Sequence, residues 1–154
     1  LAFTVVAIMS VDRFGRRKLQ IIGALGMAVS MFGLGMIFYL QKMGFSALIC
    51  MLVYVASFAM SWGPVTWVLL SEIFPNSIKG AMSIAVAAQW LANLFISTTF
   101  PMMNDSSWLT GIFHHGFAYW IYALMGIIAA IFMYRLVPET KGKSLEEIQT
   151  FWKK

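Results

Sequence analysis

Acidic side chains are scarce in this chain, six in 154 residues, and none falls in the middle of an apolar run. Asp12, Glu72, Asp105, Glu139, Glu146 and Glu147 all sit at the ends of such runs or between them. No mid-span carboxylate is therefore on hand to act as acid or base or to carry a proton across a bilayer. The single cysteine, Cys50, has no partner, which excludes an internal disulfide and reads as core filler. His114 and His115 are adjacent in an irregular stretch without a supporting Cys or acid cluster, so no metal site is expected. There is no Ser/His/Asp or Cys/His set and no phosphate-cradling glycine loop, so neither an enzyme nor a cofactor is expected. An aromatic-plus-basic RNA module is also missing, which argues against nucleic acid as a partner.

Charge of either sign is thin as well, at 11%, against 60% hydrophobic residues and a mean hydropathy of +0.79. Such a chain has too little polar surface to sit in water as a monomer, and it reads as an all-α integral membrane protein. A span needs about 20 mainly apolar residues. Four full spans are expected, near 19–40, 46–71, 81–100 and 117–137, with 1–11 as the end of another. The chain opens on Leu1 within apolar sequence, without an initiator Met or a basic signal-peptide start, so it is expected to be the C-terminal part of a longer protein.

The basic residues are few enough to map individually. Arg13, Arg16, Arg17 and Lys18 lie in the loop 12–18, and Lys79 in the loop near 72–80. Arg135, Lys141, Lys143, Lys153 and Lys154 lie at the end of the last span and in the tail. The loops at 41–45 and 101–116 share only Lys42. Cytoplasmic loops retain Lys and Arg, so the first set is expected inside, together with the C-terminus, and four spans give the required even number of crossings. The net charge of +5 is then a topological signal and not a nucleic-acid surface.

Several stretches carry more than hydrophobicity. In 61–80, SWGPVTWVLLSEIFPNSIKG, the pair Gly63-Pro64 removes a backbone donor inside a membrane-length run, so a kink or partial unwinding is expected there. Such a break is tolerated at membrane depth where its carbonyls face protein or a wet cavity. Trp62 and Trp67 flank it with rings suited to stacking on a small polar ligand, although taken alone they read first as packing or interfacial anchors. In 81–100, Gln89, Asn93 and Ser97 fall at helical spacing on one face. That stripe must face protein or water, as interhelical glue or, with Trp90 alongside, as a site that bonds and stacks on a hydroxylated ring. Gly23, Gly26, Ser30, Gly33 and Gly35 make 19–40 a packing element. Asp12 can cap the next turn or bind Arg16, and Gly15 permits a tight reversal, though DRFGRRK is also an ordinary positive-inside loop. The segment 101–116 is too long for a simple turn and is expected to shape an outer vestibule. After Pro138, Ser144 and Glu147 suit the start of a short surface helix in the tail 138–154.

Taken together, DRFGRRK at 12–18, GPVTW at 63–67, SEIFP at 71–75 and PETKG at 138–142 resemble the sugar porter family of the major facilitator superfamily. They stand in the family's order and at its distances over the whole chain. AVAAQWLAN at 85–93, FPMM at 100–103 and PETKGKSLEE at 138–147 look most similar to bacterial proton-coupled xylose symporters. The resemblance implies a helical bundle running from the end of the eighth span through the twelfth. The N-terminal half of the same transporter and the lipid bilayer are then its partners. It further implies that Gly63, Trp67, Gln89 and Trp90 are sugar-site residues. Asp12, Gly15, Arg16, Glu72, Lys79 and Glu139 match the inner gate. Two departures stand out. Lys79 replaces the usual arginine and loses its bidentate fork. The Gln-Trp pair also lies one residue nearer to that basic position than in the family, which turns it by about 100° relative to the loop.

The function implied is transport of a monosaccharide, pentose or hexose with a xylose-like sugar favoured, by alternating access and with proton symport. A passive facilitator and a transporter-like sugar sensor remain open. If protons are coupled, the acid lies in the other half, since no span here supplies one. Partly exposed gate pairs contribute only about 0.2–1 kcal/mol each. On this reading Glu72→Gln in the whole transporter slows coupled transport while leaving equilibrium sugar binding within a few-fold of wild type. Both are measured in one reconstituted preparation, and wild-type transport by the variant would remove Glu72 from the gate.

Overall fold

The computed structural model describes residues 15–42, 44–73 and 80–137, with the backbone alone for 72 and 73. Asp12, Lys79, Glu139 and the tail 138–154 therefore lie outside the described residues. Among the described residues six helices follow in order: α1 Arg16–Tyr39, α2 Phe45–Met60, α3 Trp62–Ile73, α4 Ala81–Asp105, α5 Ser107–Phe113 and α6 Phe117–Leu136. Four stretches of the described residues are long and apolar enough to cross a membrane, namely Arg16–Tyr39, Phe45–Ser71, Ala81–Asp105 and Phe117–Leu136. The second of these is α2 and α3 joined end to end.

The bundle is arranged around α1. Gly15 opens it with φ 87°, a left-handed conformation that a side chain rarely tolerates, and so supplies the reversal into the helix. Helix α6 runs antiparallel to α1 along its length. Gly126 approaches Ala28, and Gly35 approaches Trp120 and the Gly116 carbonyl. A Cβ on Gly116 would lie 2.6 Å from the Gly35 oxygen, so the two backbones touch there. On another side α2 packs antiparallel, with Gly23 against Ser61 and Ser57, Gly26 against Ser57, and Gly33 against Cys50. Cys50 is thus a filler in a helix contact. Ser30 serves its own helix, donating to Gly26 O at 2.8 Å. The buried apolar set is correspondingly small in side-chain size, with Ala24, Ala28, Ala118, Ala123 and Ala130 alongside Leu19, Leu34, Val65, Leu69 and Met133. Large side chains such as Ile22, Val29, Leu52 and Phe132 point outward, as suits a lipid-facing surface.

The expected break in the second span occurs, but at Ser61, two residues before Gly63. Pro64 has no N–H to offer the Met60 carbonyl, so the helix ends at Met60 and a new one starts with Pro64 in its first turn, where a donor is not required. Ser61 takes φ −131°, ψ −79°; its N–H donates to Phe58 O, and its own carbonyl accepts from Val65 N at 3.0 Å. The hydroxyl of Ser61 donates to Ser57 O at 2.7 Å, so the break leaves few open polar groups.

The segment 101–116 differs from the loop expected of it. Helix α4 continues through Pro101 to Asp105, and α5 occupies most of the remainder. In the turn before Pro101, Thr98 and Thr99 donate to Leu94 O and Phe95 O, keeping their polarity within the helix. Thr110 Oγ1 and His115 Nδ1 each lie 3.1 Å from Asn104 O, and His115 Nδ1 is also 3.1 Å from Asn104 Oδ1. These contacts fold α5 back onto the end of α4. They offset the successive left-handed residues His114, φ 46°, and His115, φ 69°, that close α5.

The close approaches make α1 intolerant of bulk. A side chain at Gly35 would start 2.4 Å from the Trp120 ring, whereas one at Gly111 meets nothing within 4 Å. Gly35→Val is expected to destabilise the bundle by about 1–3 kcal/mol, and Gly111→Ala to be neutral or slightly stabilising. Thermal unfolding of the two variants in detergent measures this, and equal midpoints would mean that the α1–α6 contact is not tight.

Candidate functional site

The polar groups in the apolar bundle gather near the α2–α3 break. Gln20, at the start of the second turn of α1, is 1% exposed, and its Nε2 donates to Thr66 Oγ1 at 3.1 Å. Thr66 in turn donates to Trp62 O at 2.7 Å, and Trp62 Nε1 donates to Gln20 O at 3.0 Å. A closed knot therefore ties α1 to the start of α3. The indole N–H of Trp62 is engaged within the protein and is not free for a ligand. One acceptor of the knot, Gln20 Oε1, is buried without a partner among the described residues. Gln20 carries no signal of its own in the sequence, as a lone amide in the apolar span 19–40 whose role depends on what α3 places opposite it.

One turn from Gln20 on the same face of α1, Ala24 begins the wall of a cavity of about 420 Å³ between α1, α2, α3, α4 and α6. Its polar lining includes Tyr54, Asn93 and Tyr122, and Trp62 forms part of the wall. The Tyr122 hydroxyl is buried and has no partner among the described residues. Phe100 stands beside it, 5.8 Å between ring centroids, and also meets Tyr119 edge-on at 5.6 Å. A second cavity of about 640 Å³, almost wholly apolar, lies between α4, α5 and α6 and shares the Tyr122 wall. An amide and two phenols in an apolar cavity have the donors and acceptors to bind a hydroxylated molecule, and nothing around them performs covalent chemistry.

The four expected sugar-site residues are not brought together around this cavity. Trp67 lies five residues beyond Trp62 on the same helix, about 140° around its axis, so the two rings face different ways. Trp67 is 44% and Trp90 67% exposed. Gln89 is exposed, on the cavity face of α4 but one turn below Asn93, the member of the stripe that does reach the wall. Gly63 has ordinary contacts only, with Phe58 3.5 Å from where a Cβ would be. Of the gate set, Gly15 and Arg16 stand at the start of α1 and Glu72 near the end of α3, while Asp12, Lys79 and Glu139 are outside the described residues. Helix α4 as a whole has no buried residue.

Comparison with known proteins agrees with the motif order. The family described as "Sugar (and other) transporter" matches residues 1–152. The D-xylose-proton symporter of Escherichia coli (strain K12) is 67% identical over 153 residues, which is 99% of this chain and 31% of that protein. The glucose facilitated diffusion protein of Zymomonas mobilis is 50% identical over 152 residues, 98% of this chain and 32% of that protein. Among solved structures, the major facilitator proton:xylose symporter bound to 6-bromo-6-deoxy-D-glucose superposes with a TM-score of 0.88 at 67% identity, covering 98% of this chain and 32% of that one. The chain thus spans about a third of the length of these relatives, all of them transporters rather than enzymes. With four membrane-length helical stretches among the described residues and a match over nearly every residue, this chain belongs to the sugar transporter family, the sugar porters of the major facilitator superfamily.

Proposed function

We propose that this chain is part of a monosaccharide transporter of the bacterial inner membrane that moves a xylose-like sugar by alternating access in symport with protons. The observation that carries this reading is 67% identity to a D-xylose-proton symporter over 99% of the chain. Gly63, Trp67, Gln89 and Trp90 supply the sugar contacts of this half, the amide reading hydroxyls and the indoles covering the apolar face of the ring. The rest of the transporter supplies the other wall of the pathway, toward which the exposed side of α4 turns. The basic ends of α1 and α6 face the cytoplasm, together with the C-terminus, as the distribution of Lys and Arg requires. The proton-carrying acid resides outside this chain, since its six carboxylates lie at span ends or beyond them. The 50% identity to a facilitated-diffusion protein supports a second reading, in which the sugar moves passively. Reconstituted whole transporter separates the two. Xylose uptake driven by an inward proton gradient and lost with an uncoupler supports symport, gradient-independent exchange supports a facilitator, and binding without uptake supports a sensor.

Trp67→Ala is expected to weaken sugar binding without preventing membrane insertion, because an indole face is removed while the span stays apolar. Unchanged affinity of the folded variant in a binding titration would take Trp67 out of the site. Gln89→Ala is expected to weaken binding more than Asn93→Ala, by the roughly 0.5–1.5 kcal/mol net value of one hydrogen bond. A larger loss at Asn93 would instead move the sugar into the cavity beside Tyr54 and Tyr122.

A further inference from the structure

Helix α3 starts afresh at Trp62, because Pro64 leaves the Met60 carbonyl without a donor, and its rotation about its own axis is therefore not inherited from α2. Contacts from outside the second span must set it. The packed face of α3 is Trp62, Val65, Thr66 and Leu69, at the i, i+3, i+4, i+7 spacing of one helical stripe. Val65 is fully buried against Leu19 of α1, a contact that holds the helices together but has no directional preference. Direction comes from the next residue. Gln20 holds both ends of one turn of α3: its main-chain O accepts from Trp62 Nε1 at 3.0 Å, and its Nε2 donates to Thr66 Oγ1 at 3.1 Å. Thr66 donates onward to Trp62 O at 2.7 Å, so its hydroxyl is oriented by accepting and donating at once. A leucine at position 20 would cost less to bury than this amide, but it could make no directed bond.

Trp67 follows Thr66 directly and lies about 100° further around the axis, outside the packed stripe and 44% exposed. Its ring is therefore aimed by the rotation of α3 as a whole. A turn of about 20° carries a side-chain tip about 2 Å along its arc, enough to spoil stacking on a sugar ring. We propose that Gln20, which stands outside the sugar-site set drawn from the sequence, is a positioning residue for the sugar: through Thr66 it fixes the rotation of α3 and so the presentation of Trp67, while touching no sugar itself. This inference rests on the reading that places Trp67 at the sugar and adds to it the group that aims the ring.

The test uses the whole transporter and D-xylose, with binding and thermal unfolding measured in one detergent preparation. Gln20→Leu and Thr66→Val each remove the Gln20–Thr66 bond and are expected to raise the xylose Kd about fivefold, the worth of one directed hydrogen bond. The double variant puts two apolar side chains in place of the bonded pair. It is expected to raise Kd no further and to unfold within a few degrees of wild type. Thr66→Ser keeps the hydroxyl and is expected within twofold of wild type. In a Trp67→Ala background, Gln20→Leu is expected to have no additional effect. Ser30→Ala, which removes another buried bond of α1, is the control and is expected to leave Kd unchanged. Wild-type affinity in the double variant overturns the positioning role, as does a Gln20→Leu effect that persists in full without Trp67 or is matched by Ser30→Ala. If Gln20→Leu does not fold, Thr66→Val against Thr66→Ser, with and without Trp67, carries the same comparison. Wild-type affinity of Trp67→Ala instead overturns the site reading, and a wild-type protein that binds no D-xylose overturns the transport reading; in either case the role of Gln20 goes with it.

Discussion

Backbone contact between helices without intervening side chains is the constraint on which this bundle depends. In a bilayer there is little to gain by burying one leucine against another, because lipid is as apolar as the core. Close approach is what remains, and it is obtained where Gly35 meets Gly116 and Trp120, and where Gly23 and Gly26 meet Ser57 and Ser61. These contacts lie on two sides of α1, which makes that helix the element against which α2 and α6 are aligned. Hydrogen bonds from Arg17 to Met133 O and Tyr134 O at one end and the ring contacts Phe38–Tyr119 and Tyr39–Trp120 at the other join the α1–α6 pair along its length.

With α1 held in this way, the α2–α3 break becomes tolerable. A chain interruption at membrane depth exposes carbonyls and amides that hydrocarbon cannot satisfy, at several kcal/mol per group. Here Ser61 and Thr66 bond back to Ser57 O and Trp62 O, while Gln20 on α1 accepts from the Trp62 indole and donates to Thr66. The interruption is therefore a braced joint. Its bracing comes from α1, whereas α4 has no buried residue.

How much of this could be read beforehand differs by kind of signal. Span number and the packing role of α1 follow from hydropathy and from small residues at helical spacing, both local properties of the chain. That Pro64 would interrupt the second span was equally legible; the break fell at Ser61 because the missing donor is felt one turn upstream. The helical course of 101–116 was hidden because Pro101 and the run of Asn, Asp and Ser residues suggest a loop, while Thr98, Thr99 and the Asn104–His115 contact that support the helix act across several turns. Gln20 and Arg17 were not legible as key residues either. Their roles depend on what α3 and α6 place opposite them, at separations of 46 residues for Gln20 and Thr66 and 116 for Arg17 and Met133.

Helix α4 carries the remaining step of the argument. It is 25 residues long, apolar enough to cross a membrane and without a buried residue, yet Gln89 and Asn93 lie on one face. Lipid is not an acceptable neighbour for such amides, since each would face hydrocarbon without a partner. Lipid therefore suits the Leu91 and Leu94 surface, and the amide face must turn toward protein or water. The direction of that face is set by packing on α6 through Phe100, Tyr119 and Tyr122. Those aromatic contacts hold the C-terminal half of α4 against α6.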